Sequence, residues 1–164
     1  MSSPINTTLF RYMMGLTQKV FAEIPEEQTR TQPTPAINPP IWVIGHLCMA
    51  WDGALALLGG TKLCPQEYTQ WFGPGSNLAD MPKELPSKKE MLAQLSQISE
   101  MILTALNEVS PQRLEKPNPS RFFNKELPTV RDFVENLLFS HHALHLGQLS
   151  IWCKLMNLPK VINF

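Results

Sequence analysis

The sequence has 164 residues, 43% hydrophobic and 17% charged, which suits one domain spanning 1–164 with a sizeable core and excludes wholesale disorder. Basic and acidic residues balance at 14 each, so the zero net charge excludes the basic surface of a nucleic-acid or anionic-membrane binder and favours self-association. Cys48, Cys64 and Cys153 are too few and too scattered for a disulfide scaffold or a CxxC metal site, which makes a cytoplasmic protein with reduced thiols the expectation.

The start, MSSPINTTLFRYMMG, lacks the basic and then apolar regions of a secretory signal. Fifteen prolines then punctuate the chain, and four long segments survive between their clusters. The first runs from about Thr7 to Ile24, with Leu9, Tyr12, Met13, Leu16, Val20 and Phe21 at helical spacing. The second opens at Pro39-Pro40, a helix-start signal, and stops at Gly59-Gly60. Its stretch from Ile41 to Leu58 approaches membrane-spanning length, but His46 and Asp52 lie inside it. A central Asp costs about 2.5–3.5 kcal/mol in hydrocarbon, so the composition fits a buried helix of a soluble bundle better.

The connection from Thr61 to Pro86 is too long for a tight bundle turn. A short extra helix from Pro65 to about Phe72 is expected within it. The aromatics Tyr68, Trp71 and Phe72 then either pack as a satellite cluster or form a lid over a pocket. The third segment opens with Ser87-Lys88-Lys89-Glu90, a capping box, and buries Met91, Leu92, Leu95, Ile98, Ile102 and Leu106. The fourth starts at Thr129, an N-cap, runs through Phe133, Leu137, Leu138, Leu144 and Ile151 to about Met156, and is closed by Pro159. No segment alternates as a strand does. The reading is all-α: a four-helix bundle with a long loop and a short extra helix between helices two and three.

All four histidines fall on helical segments. His141 and His145, four residues apart, share a face and can close on one ion, whereas His142 is turned by about 100°. His46 follows Gly45, whose missing side chain lets another helix or a ligand approach. If the second and fourth helices are neighbours, His46, His141 and His145 converge as three nitrogen ligands with a vacant fourth position, the pattern of catalytic zinc. Imidazole also suits nickel, copper and iron, and an HxxxH pair by itself is more often core or surface histidine.

Around the histidines, Asp52 lies some 120° off the face of His46, so it is an outer hydrogen-bond partner or a plain cap rather than a ligand. Gln148 either orients a ligand or makes an interhelical hydrogen bond. Trp42 lines a pocket or packs the core. The cysteines and the eight methionines offer no ligand, the latter being core filler.

The string from Phe139 to Pro159, FSHHALHLGQLSIWCKLMNLP, is similar to the last helix of the DinB/YfiT-like superfamily, with HxxxH just before a Gly-Gln step. Asn38 to Leu47, NPPIWVIGHL, followed by Asp52, resembles the family's Gly-His-Leu motif. Trp71-Phe72-Gly73 and Leu85 to Leu92 add to the resemblance, in the family's order. Asn157 stands where many members have glycine, at a helix end that asparagine also tolerates.

The resemblance implies a DinB-like four-helix bundle and commonly a homodimer. It implies a divalent transition metal, zinc or nickel, held by His46, His141 and His145, with no ligand counterpart for His142. It also implies a small-molecule substrate. Relatives include S-transferases and isomerases that use low-molecular-weight thiols, and others described as metal-dependent hydrolases. The expectation is therefore a metal-dependent enzyme of S-transferase type without nucleic-acid or membrane partners. A hydrolase or a non-catalytic metal-binding domain is the alternative.

Overall fold

The computed structural model describes residues 5–76 and 78–160. Residues 1–4, part of the stretch examined for a secretory signal, lie outside the described residues. Helix α1 spans Thr7–Ala22, and Asn6 caps it by accepting a hydrogen bond from Leu9 N at 2.9 Å. Helix α2 spans Pro40–Leu58, with proline in its first turn. It ends where Gly59 turns left-handed at φ 106° and Gly60 N donates to Leu55 O at 2.9 Å.

The short α3 covers Tyr68–Phe72, and α4 covers Lys88–Glu108 behind the Ser87–Glu90 capping box. A one-turn α5 follows at Pro111–Leu114. Helix α6, Val130–Glu135, starts at a second box between Thr129 and Asp132. It continues through a π-helical turn, Asn136–Ser140, into α7, His141–Leu155. Asn157 closes α7 at φ 56°, the left-handed conformation that asparagine accepts in place of glycine. Among the described residues there is no strand, only an isolated bridge between Pro117 and Thr129. The fold is all-α.

Helix α2 is the centre of the core. Fifteen of its residues are buried, and it packs most extensively against α4, with α3 and α7 alongside. It has the length and apolarity of a membrane span, yet most of it is buried inside the protein, as in a soluble bundle. At the C-terminal end of α2, Arg113 of α5 donates to Leu57 O at 2.6 Å and to Ala56 O at 3.2 Å, the latter also accepting from Gly59 N.

Four residues expected in the core face solvent: Leu9, Tyr12, Leu144 and Ile151. In α1 the buried stripe is Phe10, Met13, Met14, Thr17, Val20 and Phe21, one position round from the one expected. In α7 the cause is the π turn, which holds roughly one residue more than an α turn and so rotates everything after it. A straight helix through Leu137 would bury Leu144 and Ile151. After the extra residue, His142, His145, Leu149 and Trp152 face inward, and Leu144 is 64% exposed. The short third helix begins at Tyr68 rather than Pro65, and Tyr68 and Phe72 pack as core while Trp71 is half-buried.

Candidate metal centre

Two helices supply three imidazoles. His46 comes from the middle of α2; His141 and His145 come from the first turns of α7, one turn apart on one face. His141 Nε2 lies 3.0 Å from His46 Nε2 and 3.2 Å from His145 Nε2. One ligand nitrogen from each of the three residues lies within 4.8 Å of the other two, and no other described His, Cys, Asp or Glu joins them.

The outer nitrogens decide what the inner ones present. His46 Nδ1 lies 2.6 Å from the backbone carbonyl of Phe72, which can only accept, so that nitrogen carries the proton and Nε2 is a bare lone pair. His145 Nδ1 donates in the same way to Gln148 Oε1 at 2.9 Å. Both lone pairs are aimed at His141 Nε2, which has at most one proton to share between them. His141 Nδ1 is buried without a hydrogen-bond partner.

A cation resolves this crowding. Tetrahedral Zn–N bonds of about 2.0–2.1 Å separate the ligand nitrogens by about 3.3 Å, close to the two spacings observed. The donor set therefore fits a divalent transition metal. Burial also keeps the rings in the neutral, ligating form. Desolvation, followed by the neighbouring histidines, pushes His141 down to about 3 and His145 to about 4. Desolvation lowers His46 too, against the Phe72 hydrogen bond.

Gly45 is what lets Phe72 reach the site. A Cβ there would stand 2.5 Å from the Phe72 ring, so any side chain would push α3 away from His46. Trp42 stacks on His46 with ring centroids 4.6 Å apart and planes 10° apart. Its indole N–H donates to Ser76 Oγ at 2.8 Å and ties the loop after α3 to the site. Trp42 is thus both packed and part of a pocket wall.

The remaining residues fall elsewhere. Asp52 is turned from the histidines, and its carboxylate accepts from Leu63 N at 2.7 Å and Cys64 N at 3.2 Å, so it is a loop anchor. Gln148 makes no interhelical bond with the histidine it serves: it holds His145, three residues earlier on its own helix. His142 points away, with Nε2 2.6 Å from Thr17 Oγ1 and its ring edge-on to Trp51. Burial pushes the Cys48 and Cys64 thiols up, Cys64 to about 12, so neither offers a ready thiolate.

A family model for the DinB superfamily matches residues 9–149, a span that holds all three clustered histidines. The chain belongs to the DinB superfamily. No curated protein matches it. In this DinB-superfamily chain a cavity of about 640 Å³ opens beside His46 and His141, walled by Trp42, Met49, Phe133 and Leu137 and rimmed by Phe122 and Phe123. A larger groove of about 820 Å³ lies between the end of α2 and α4 and touches none of the histidines. Sequence reading missed the Phe72 carbonyl, Ser76 and the two rim phenylalanines. Only the last left a trace, as paired aromatics in a polar loop.

Proposed function

We propose that the protein is a metal-dependent enzyme whose His46, His141 and His145 hold zinc or nickel, and that it joins a low-molecular-weight thiol, through its sulfur, to an electrophilic small molecule. The observation that carries this reading is the convergence of the three Nε2 atoms, with the Nδ1 protons of His46 and His145 committed elsewhere. A divalent cation in such a site supplies Lewis acidity that favours the deprotonated form of a thiol or of water. In the overall reaction a carbon–sulfur bond forms, the leaving group departs with the electron pair of its broken bond to carbon, and the thiol proton is released.

The chain's own residues hold and orient. Phe72 O and Gln148 Oε1 fix the tautomers and ring planes of His46 and His145. Trp42 covers one face of His46 and keeps water from it. Sulfur transfer is favoured over hydrolysis by the cavity lining, which includes no Asp, Glu, Lys or Arg to shuttle a proton to a poor leaving group. A thiol of pKa about 8.5 needs less help than water to become a nucleophile.

The same reading puts the protein in the cytoplasm, where such thiols stay reduced. It also pairs two copies through the exposed α7 stripe of Leu144, Ile151 and Leu155. A panel of thiols with an aryl-halide acceptor, run on metal-loaded and chelated protein, tests the chemistry. Metal-dependent thioether formation with at least one thiol supports it. Metal-dependent ester or amide cleavage without thioether formation moves the function to hydrolysis.

A further inference from the structure

Beside the histidines lies a cavity whose chemistry is one-sided. Its volume, about 640 Å³, is in the range of small-molecule sites. Among the described residues its lining carries no charged side chain; Ser120 and Asn136 add polar groups to the two histidines, and the Trp42 indole N–H is already bonded to Ser76. His46 and His141 belong to its lining, as do Phe122 and Phe123, which are exposed to solvent.

The Phe122–Phe123 rim is built rather than incidental. The loop 118–128 is pinched at its neck by the Pro117–Thr129 bridge and by Asn118, whose backbone N–H donates to Pro128 O and whose side-chain amide donates to Leu127 O, both at 2.9 Å. Within it Phe123 holds φ 55°, a left-handed conformation unfavourable for an aromatic residue, and Leu127 N donates to its carbonyl at 2.7 Å. Strain of this kind persists only where the surroundings impose it, and it clusters at ligand clamps. Here the imposed shape leaves two large aromatics exposed, Phe123 at 59%.

We propose that this cavity binds the uncharged, apolar or aromatic body of the substrate, with its reactive end toward His46 and His141 and its far end under the Phe122–Phe123 rim. The orientation rests on the metal-site reading above; the apolar preference rests on the cavity alone. Away from the histidines, where a bound metal would sit, and from Arg121, whose guanidinium lies 4.9 Å from the Phe122 ring centroid at the rim, an anionic body would have to shed its hydration against an apolar wall. The occupant is therefore the electrophilic partner of the reaction, an arene or alkyl compound whose body, away from its reactive carbon, carries no carboxylate or phosphate.

The test uses two dyes that share one ring system, N-phenyl-1-naphthylamine and its sulfonated relative 1-anilinonaphthalene-8-sulfonate, titrated into the full-length protein both as purified and after chelation. The uncharged dye should bind with a blue-shifted emission, at least tenfold more tightly than the sulfonate, in both preparations. Gly53 lines the cavity and has nothing within 4 Å of where a Cβ would sit, so Gly53→Leu can place a side chain at the cavity wall without a clash at Cβ. That variant should weaken the uncharged dye at least tenfold, and Phe123→Ser, at an exposed position, at least threefold.

Equal or tighter binding of the sulfonate overturns the proposal, as does binding of the neutral dye that Gly53→Leu leaves unchanged, or no binding of the neutral dye. His145→Ala keeps the two readings apart, because His145 does not line the cavity. Dye binding that survives in a variant without metal-dependent turnover upholds the cavity assignment however the chemistry is decided.

Discussion

His46 and Phe72 are 26 positions apart in the chain, yet Nδ1 of the one meets the backbone carbonyl of the other at 2.6 Å. The contact exists because Gly45 leaves room for the Phe72 ring. Position 45 therefore controls the orientation of a neighbouring imidazole without touching it. In Gly45→Ala the new methyl displaces α3, and the His46 hydrogen bond lengthens or breaks. Metal affinity should fall by roughly 10–100-fold, as for the loss of other partners that orient a ligand histidine. Stability should fall by about 1–2 kcal/mol, overpacking outweighing the better helix propensity of alanine. Competition with a chromogenic chelator and urea denaturation measure the two effects.

Gln148→Ala removes the acceptor from His145 Nδ1. Gln148 is half-buried and the change opens little space, so stability should shift by less than about 1 kcal/mol while metal affinity falls roughly 10-fold or more. Gln148→Glu keeps an acceptor at that position and should retain most of the affinity. Chelator competition on the two variants separates an orienting role from simple packing.

Asp52→Ala should do the opposite. Leu63 N and Cys64 N lose the carboxylate that holds them, at a cost of about 1–3 kcal/mol in urea denaturation. Bound metal measured in the folded variant should stay at the wild-type level, since neither oxygen of Asp52 faces the histidines.

In the metal-free protein, stability should depend on acid. Burial holds His141 near about 3 and His142 and His145 near about 4, against an ordinary value of 6.5. The unfolded chain therefore binds more protons throughout that window. Stability is full above 6.5 and is lost as pH falls toward these values, by up to about 1.4 kcal/mol per pH unit for each histidine that stays neutral. Urea midpoints in the presence of chelator should drop between about pH 7 and about pH 4.5. A constant midpoint would mean that the rings are hydrated.

Much of this was legible from side chains that act locally. The Ser87 and Thr129 boxes, Pro40 and Gly59 mark helix ends with their own chemistry, and the i, i+4 pairing of His141 and His145 follows from helix geometry alone. Convergence with His46 needed only α2 and α7 as neighbours. What sequence reading lacked came from the backbone and from tertiary packing. The π turn at Asn136–Ser140 leaves no residue signature, so Leu144 and Ile151 looked like core when the added residue turns them outward. The acceptor for His46 is a main-chain carbonyl, which any residue at position 72 would carry.

Metal analysis by inductively coupled plasma mass spectrometry, on wild type and on His46→Ala, His141→Ala and His145→Ala purified in parallel, tests the central claim most directly. Stoichiometric zinc or nickel in the wild type, lost in all three folded variants, is the predicted result. Equal metal content in the wild type and the variants, or a wild type that takes up neither metal on reconstitution, would contradict it.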